Sequence, residues 1–170
     1  MPISSLPTWA AAITTGSVIL IDFPYSEARR RRKIRPGVVA CLDLHRGEVV
    51  VAYATSRLDG VEPRKNALLL EAPQDWQPAG LHGPTRVQVD RRVRLALSSR
   101  RFLSPDGASP VLGYLSPHHA ARVAQTYASL PPLDPEMEMR GVHPSCSPAS
   151  GRWIGRPRLR SPRRNPIVHS

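Results

Sequence analysis

The sequence predicts a mainly β protein: a small β-barrel carrying one C-terminal helix and a disordered basic tail. Three observations predict it. Short apolar, β-branched runs alternate with turn-forming residues from position 17 to position 97. One segment alone, residues 116–130, repeats apolar residues at helical spacing. Beyond Leu130 that periodicity gives way to proline and arginine. Many short strands with one late helix describe a barrel with an α appendage.

Each element follows in order. Residues 1–15 (MPISSLPTWAAAITT) form an N-terminal extension with a short helix expected around Trp9–Ala12, after Pro7. Ser17–Phe23, SVILIDF, is continuously apolar and ends at Pro24, as suits a strand buried on both faces or closed into a barrel. Residues 25–35 are polar and cationic and read as a loop. PGVVACLDL (36–44) gives a second strand, Arg46-Gly47 a turn with His45 beside it, and EVVVAYATS (48–56) a third strand in hairpin relation to the second. NALLLE (66–71) is a fourth strand, and APQDWQPAGLHGP a Pro/Gly-rich connection. TRVQVD (85–90) alternates polar and apolar residues, and Val93, Leu95 and Leu97 continue the alternation. The helix, SPHHAARVAQTYASL, has Ser116 as N-cap and Pro117 at its first position, where no N–H is needed. Ala120, Val123, Ala124, Tyr127 and Leu130 form its apolar stripe, with His118 and His119 expected to face solvent.

The barrel domain therefore spans residues 16–130 and the tail residues 131–170. The tail holds eight of the 19 prolines, seven arginines and three acids, too little apolar surface to offset its ordering entropy. A formal charge of +11 makes the chain attractive to polyanions. No apolar run approaches the roughly 18 residues of a membrane span, and the N-terminus lacks the basic and apolar regions of a secretory leader. A cytoplasmic protein with no membrane partner is expected. Cys41, in VVACLDL, reads as a buried small hydrophobe. Cys41 and Cys146 suggest no disulfide framework, and the six histidines show no zinc spacing, so neither metal nor cofactor is expected.

Four segments, in order, resemble the MazF/PemK family of toxins. They are Gly16-Ser17-Val18-Ile19-Leu20-Ile21-Asp22-Phe23-Pro24 with its following basic loop, Arg35-Pro36-Gly37-Val38-Val39, the strand ending Thr55-Ser56, and Gly80-Leu81-His82-Gly83-Pro84-Thr85-Arg86-Val87. Gly113-Tyr114-Leu115-Ser116 matches the family's helix start, so the resemblance covers residues 16–130. Two positions depart from the pattern: Ser17 stands where an acid is common, and Ile34 where a cation is usual. The resemblance implies an SH3-like barrel, a homodimer, that cleaves single-stranded RNA such as mRNA without metal and is silenced by an acidic antitoxin. It assigns catalysis to Arg35 and Thr55. RNA contacts are then expected from Arg29, Arg30, Arg31, Arg32, Lys33, Ser56, Thr85 and Arg86.

The chemistry is consistent with those residue types. Metal-free cleavage uses the ribose 2′-OH as nucleophile, so the protein must orient the backbone, move protons and stabilise a charged transition state. Arg35 has a planar fork for two phosphoryl oxygens and stays charged, and Pro36 biases it toward an extended backbone. Thr55 is a poor base and better suited to hydrogen bonding the phosphate or the 2′-OH. His82 is a lesser candidate for the same groove. Bland alternatives remain: a solvated arginine, hydroxyls that satisfy turn backbone at a strand end, and a solvated loop tip for Arg29–Lys33. Two other functions compete. One is a nucleic-acid-binding barrel without chemistry, which the 5% aromatic content disfavours because single-strand platforms stack bases on rings. The other is a toxin of the CcdB type that binds a DNA topoisomerase.

Overall fold

The computed structural model describes residues 6–23, 33–58 and 65–133. Six strands, β1 (Ser17–Phe23), β2 (Lys33–Asp43), β3 (Glu48–Thr55), β4 (Ala67–Leu70), β5 (Thr85–Ala96) and β6 (Val111–Tyr114), form one antiparallel sheet in the order β4-β5-β3-β2-β1-β6. The sheet curls into a half-barrel. A short helix α1 (Pro73–Trp76) lies between β4 and β5, and the long helix α2 (Pro117–Ser129) follows β6. The mainly β architecture with one late helix is thus as the sequence predicts, and the tail assignment at 134–170 lies outside the described residues.

Both faces of the curled sheet are covered, which explains the unbroken apolar runs. On one face Val18, Val38, Ala52, Ala54, Leu68, Leu70 and Val87 pack beneath Val123 of α2, with Ala120, Tyr127 and Leu130 of the predicted stripe around it. On the other, Ile19, Ile21, Val39, Val51, Tyr53 and Val93 are covered by Ala10 and Ile13. Those two come from the 3-10 helix Thr8–Ala12 and the residue after it, where the sequence suggests a short helix. Each fully buried Val or Ile contributes about 1.5–3 kcal/mol through its lost apolar surface. Ser116 caps α2 by accepting from the His119 N–H (3.3 Å).

Several expectations need correction. Lys33, Ile34 and Arg35 are not loop but the start of β2, paired with Phe23, Asp22 and Ile21. A residue before proline is pushed to extended backbone, and β1 offers it a partner. Residues 77–81 are not a slack connection: after α1 they run beneath β6. There the Tyr114 N–H donates to the Pro78 carbonyl (3.1 Å), which joins the β4–β5 side of the sheet to its other edge. The approach is main chain on main chain. A Cβ on Gly113 would lie 2.3 Å from the Pro78 oxygen, and one on Gly80 2.2 Å from the Leu112 oxygen. Strand β6 carries no strand signal in the sequence, because its four residues follow Pro110 and include Gly113. Cys41 is half-buried rather than fully buried, packed against the α2-side core as a free thiol.

Candidate active site

The site originates in a proline. Pro36 lies inside β2 opposite Leu20, where a missing N–H would normally break a ladder. Leu20, however, bonds the other way: its N–H donates to the Pro110 carbonyl (2.8 Å) and its own carbonyl accepts from the Leu103 N–H (3.0 Å). On its other side β2 pairs with β3 only from Gly37, opposite Tyr53. Past that pair the two strands separate, and between Arg35-Pro36 and Ala54-Thr55-Ser56 a cavity of about 740 Å³ opens. Gly80, Leu81, His82, Gly83, Pro84 and Thr85 supply its far wall.

Arg35 is half-buried and lines this cavity. Its guanidinium carbon stands 5.6 Å from the centroid of the Tyr53 ring, close enough for a cation–π attraction. Its Nε is buried, with no hydrogen-bond partner among the described residues. Thr55 lines the same cavity while only 7% exposed. The Arg57 N–H donates to its Oγ1 (3.2 Å), the strand-end role foreseen for it. That bond uses one lone pair of the hydroxyl as an acceptor, and its O–H remains available as a donor. Ser56 is exposed beside it.

The remaining sequence-predicted residues divide. Thr85 lines the cavity, but its hydroxyl donates to the Gly83 carbonyl (3.0 Å) and the residue is buried, so it braces the wall. Arg86 is not among the lining residues; it donates to the Leu58 carbonyl (3.3 Å) and supports the segment after Thr55. Lys33 is placed as backbone only, opposite Phe23. Arg29, Arg30, Arg31 and Arg32 lie outside the described residues. His82, the lesser candidate, is exposed on the lining. Among the described residues that line the cavity, Arg35 is the only arginine, lysine or carboxylate side chain, so no acid there opposes an anion.

The wall is tied to α2. Against the expectation that it would face solvent, the His119 side chain is 13% exposed, with Nδ1 3.8 Å from Asp75 Oδ1. The same Nδ1 shares a 3.1 Å hydrogen bond with Ser116 Oγ. Asp75 Oδ2 also accepts from the Ala72 N–H (3.3 Å). At the far end of the helix the buried Arg92 donates to the Pro131 carbonyl and stacks 5.5 Å from the Tyr127 centroid. Burial lowers the pKa of that guanidinium, and Tyr127 and Asp90 partly offset it.

Sequence reasoning missed Tyr53, the platform under Arg35. Its signal was present: Tyr53 stands two residues before Thr55 in a strand, hence on the same face. It missed Arg91 as well, whose guanidinium carbon lies 4.1 Å from the same ring centroid. No spacing rule reveals Arg91, because its position depends on an irregularity in β5.

Among the described residues, no cluster of three or more His, Cys, Asp or Glu could hold a metal ion, and no helix is long and apolar enough to cross a membrane. No family model matches the sequence, and no curated protein matches it. Among solved structures, an endoribonuclease in complex with its cognate antitoxin from a mycobacterial species is similar at 17% identity and a TM-score of 0.46, over 71% of this chain and 99% of that one. A second mycobacterial endoribonuclease is similar at 18% identity and a TM-score of 0.44, over 69% of this chain and 89% of that one. Likeness at that level decides nothing about activity, which has to come from the cavity's own chemistry.

Proposed function

We propose that the chain is a toxin of a toxin–antitoxin pair, an endoribonuclease that cuts single-stranded RNA without a metal ion. One observation carries the reading: Arg35 and Thr55, on different strands, line one solvent-open cavity, and among the described residues its lining holds no acid. The sequence resemblance to the MazF/PemK toxins supports it.

In this reading the 2′-oxygen attacks phosphorus, the P–O2′ bond forms and the P–O5′ bond breaks. A proton leaves the 2′-OH and another reaches the departing 5′-oxygen. Arg35, steadied on Tyr53, supplies positive charge to the phosphoryl oxygens as charge accumulates. Thr55 donates its hydroxyl proton to a phosphate oxygen as a hydrogen bond. His82 is the lining side chain of a type suited to carry the transferred proton, and Ser56 adds a contact from the rim. Arg29–Lys33 attract the strand. An acidic antitoxin segment would occupy the same basic surface and exclude RNA. The active form would be a cytoplasmic homodimer.

The test is direct. Purified protein with a long unstructured RNA and excess EDTA should yield discrete fragments. Arg35→Ala should lower the rate about 10²–10³-fold, the typical cost of losing one preorganised donor. RNA left intact across varied sequences, while still bound, would favour the nucleic-acid-binding barrel. A variant lacking both Arg35 and Thr55 that still arrests growth would point to a protein target such as a topoisomerase.

A further inference from the structure

Strand β3 ends at Thr55, and the chain then leaves the sheet through Ser56, Arg57 and Leu58, of which Ser56 and Leu58 line the cavity. Two hydrogen bonds among the described residues hold that exit. The Arg57 N–H donates to Thr55 Oγ1 (3.2 Å), and Arg86 Nη2 donates to the Leu58 carbonyl (3.3 Å). The second donor comes from across the ladder: Thr55 pairs with Arg86, so the two side chains share one face with Cβ atoms about 4.5–5.5 Å apart. Strand β5 is also paired on its other side at this point, Arg86 with Leu69 of β4. The clamp therefore springs from backbone fixed on both flanks, and a site gains precision from such a base.

Held this way, the exit governs a rotamer. A threonine Oγ1 has three staggered positions about χ1, and the Arg57 amide selects the one that faces it. The amide does so only while residues 56–58 stay in place, and the Leu58 carbonyl is the far end of that stretch. A charged donor on a carbonyl makes a bond roughly twice as strong as a neutral one, which suits the pinning of a segment that lies outside any strand. Arg86 is also poorly placed for RNA. Its side chain is half-buried, it is not among the lining residues, and its Nη1 is buried, with no hydrogen-bond partner among the described residues.

We propose that Arg86 is a positioning residue: by holding the Leu58 carbonyl it fixes the exit from β3, and through that exit the Thr55 hydroxyl that serves cleavage. The proposal rests on the nuclease reading given above, and Arg86 itself touches no reacting atom. The competing roles for the same side chain are a phosphate contact, which its charge and sequence context predict, and a general contribution to folding.

Full-length variants separate the three roles. Arg86→Met keeps the stem and loses the donors, Arg86→Lys keeps charge and a donor without the fork, and each is combined with Thr55→Val. Cleavage is measured where denaturation curves show every variant folded. Arg86→Met should lower kcat about tenfold to hundredfold, the scale of a misplaced group, and leave KM nearly unchanged. In the Thr55→Val background the same substitution should cost no more than about twofold, because no hydroxyl is left to aim. Arg86→Lys should recover part of the kcat, and if Arg86→Met does not fold it carries the same comparisons. An equal loss in both backgrounds overturns the proposal. So does a salt slope for binding of an all-deoxy oligonucleotide that falls by about 0.7 in Arg86→Met, the single-strand value for one phosphate. Amide exchange at Arg57 tests the clamp without activity: Arg86→Met should quicken it about tenfold or more while exchange at Val51 inside β3 is unchanged. Exchange at Arg57 that matches wild type overturns the clamp. If the wild type cuts no RNA, the nuclease reading fails, and the exchange rate still decides whether Arg86 holds the exit.

Discussion

Thr55 closes β3 at the point where the strand's hydrogen-bond partners run out, and its hydroxyl has two tasks there. It accepts the Arg57 N–H, and in the proposed chemistry it donates its O–H to the substrate. These tasks can be separated. Thr55→Ser keeps both, and cleavage should stay within about tenfold of wild type. Thr55→Val keeps the shape and loses both; its stability should fall by about 1–3 kcal/mol from the unsatisfied amide. Its kcat should fall well beyond that effect when assayed where the protein is fully folded. Chemical denaturation alongside single-turnover cleavage reads the two losses independently. At this scale the placement of Arg35 and Thr55 at one cavity was legible in their short contexts, Arg-Pro and Thr-Ser. Arg86 was not: the motif marks its place, but only the fold reveals that it donates to the Leu58 carbonyl instead of lining the cavity. Tyr53 could have been found by counting two residues back along the strand.

Among the elements, the least regular ones build the site. Pro36 stops the β2–β3 ladder, and the 77–81 segment passes beneath β6 with no room for a side chain at the crossing. Gly113→Ala sets a methyl against the Pro78 oxygen at 2.3 Å, so backbone must move. Overpacking of this kind costs about 1–3 kcal/mol or more. The urea midpoint should drop accordingly. Amide exchange at Tyr114, whose N–H donates to that same oxygen, should quicken more than exchange at Val39 in the β2 core. Equal acceleration at both positions would contradict this account. Strands β1, β3 and β5 and helix α2 were legible because long apolar runs and a capped stripe are strong local signals. The strand β6 and helix α1 were not, since each has four residues flanked by proline, and tertiary contacts make them what they are. The start of β2 reads as loop in the sequence because it is charged and its pairing strand, β1, is visible only in the fold.

For the whole molecule, charge is the governing quantity. Residues 1–130 carry 17 basic and 10 acidic side chains, and the rest of the +11 belongs to the segment beyond them. We propose that residues 16–130 are the functional unit and that 131–170 add sequence-independent phosphate affinity. A chain ending at Leu133 should therefore cut RNA with a similar kcat. Its binding should be weaker and less sensitive to salt, and anisotropy titrations over a salt series measure both. A truncation that abolishes turnover while the protein stays folded would contradict this division. The rim opposite Arg35 carries a separate consequence. Between Pro78 and Gly80 it is anchored through peptide groups, whereas His82, Gly83 and Pro84 contribute lining with little part in that anchoring. On the proposed reading, substitution at those three positions would therefore change substrate preference while folding stays intact, so one architecture could serve different targets.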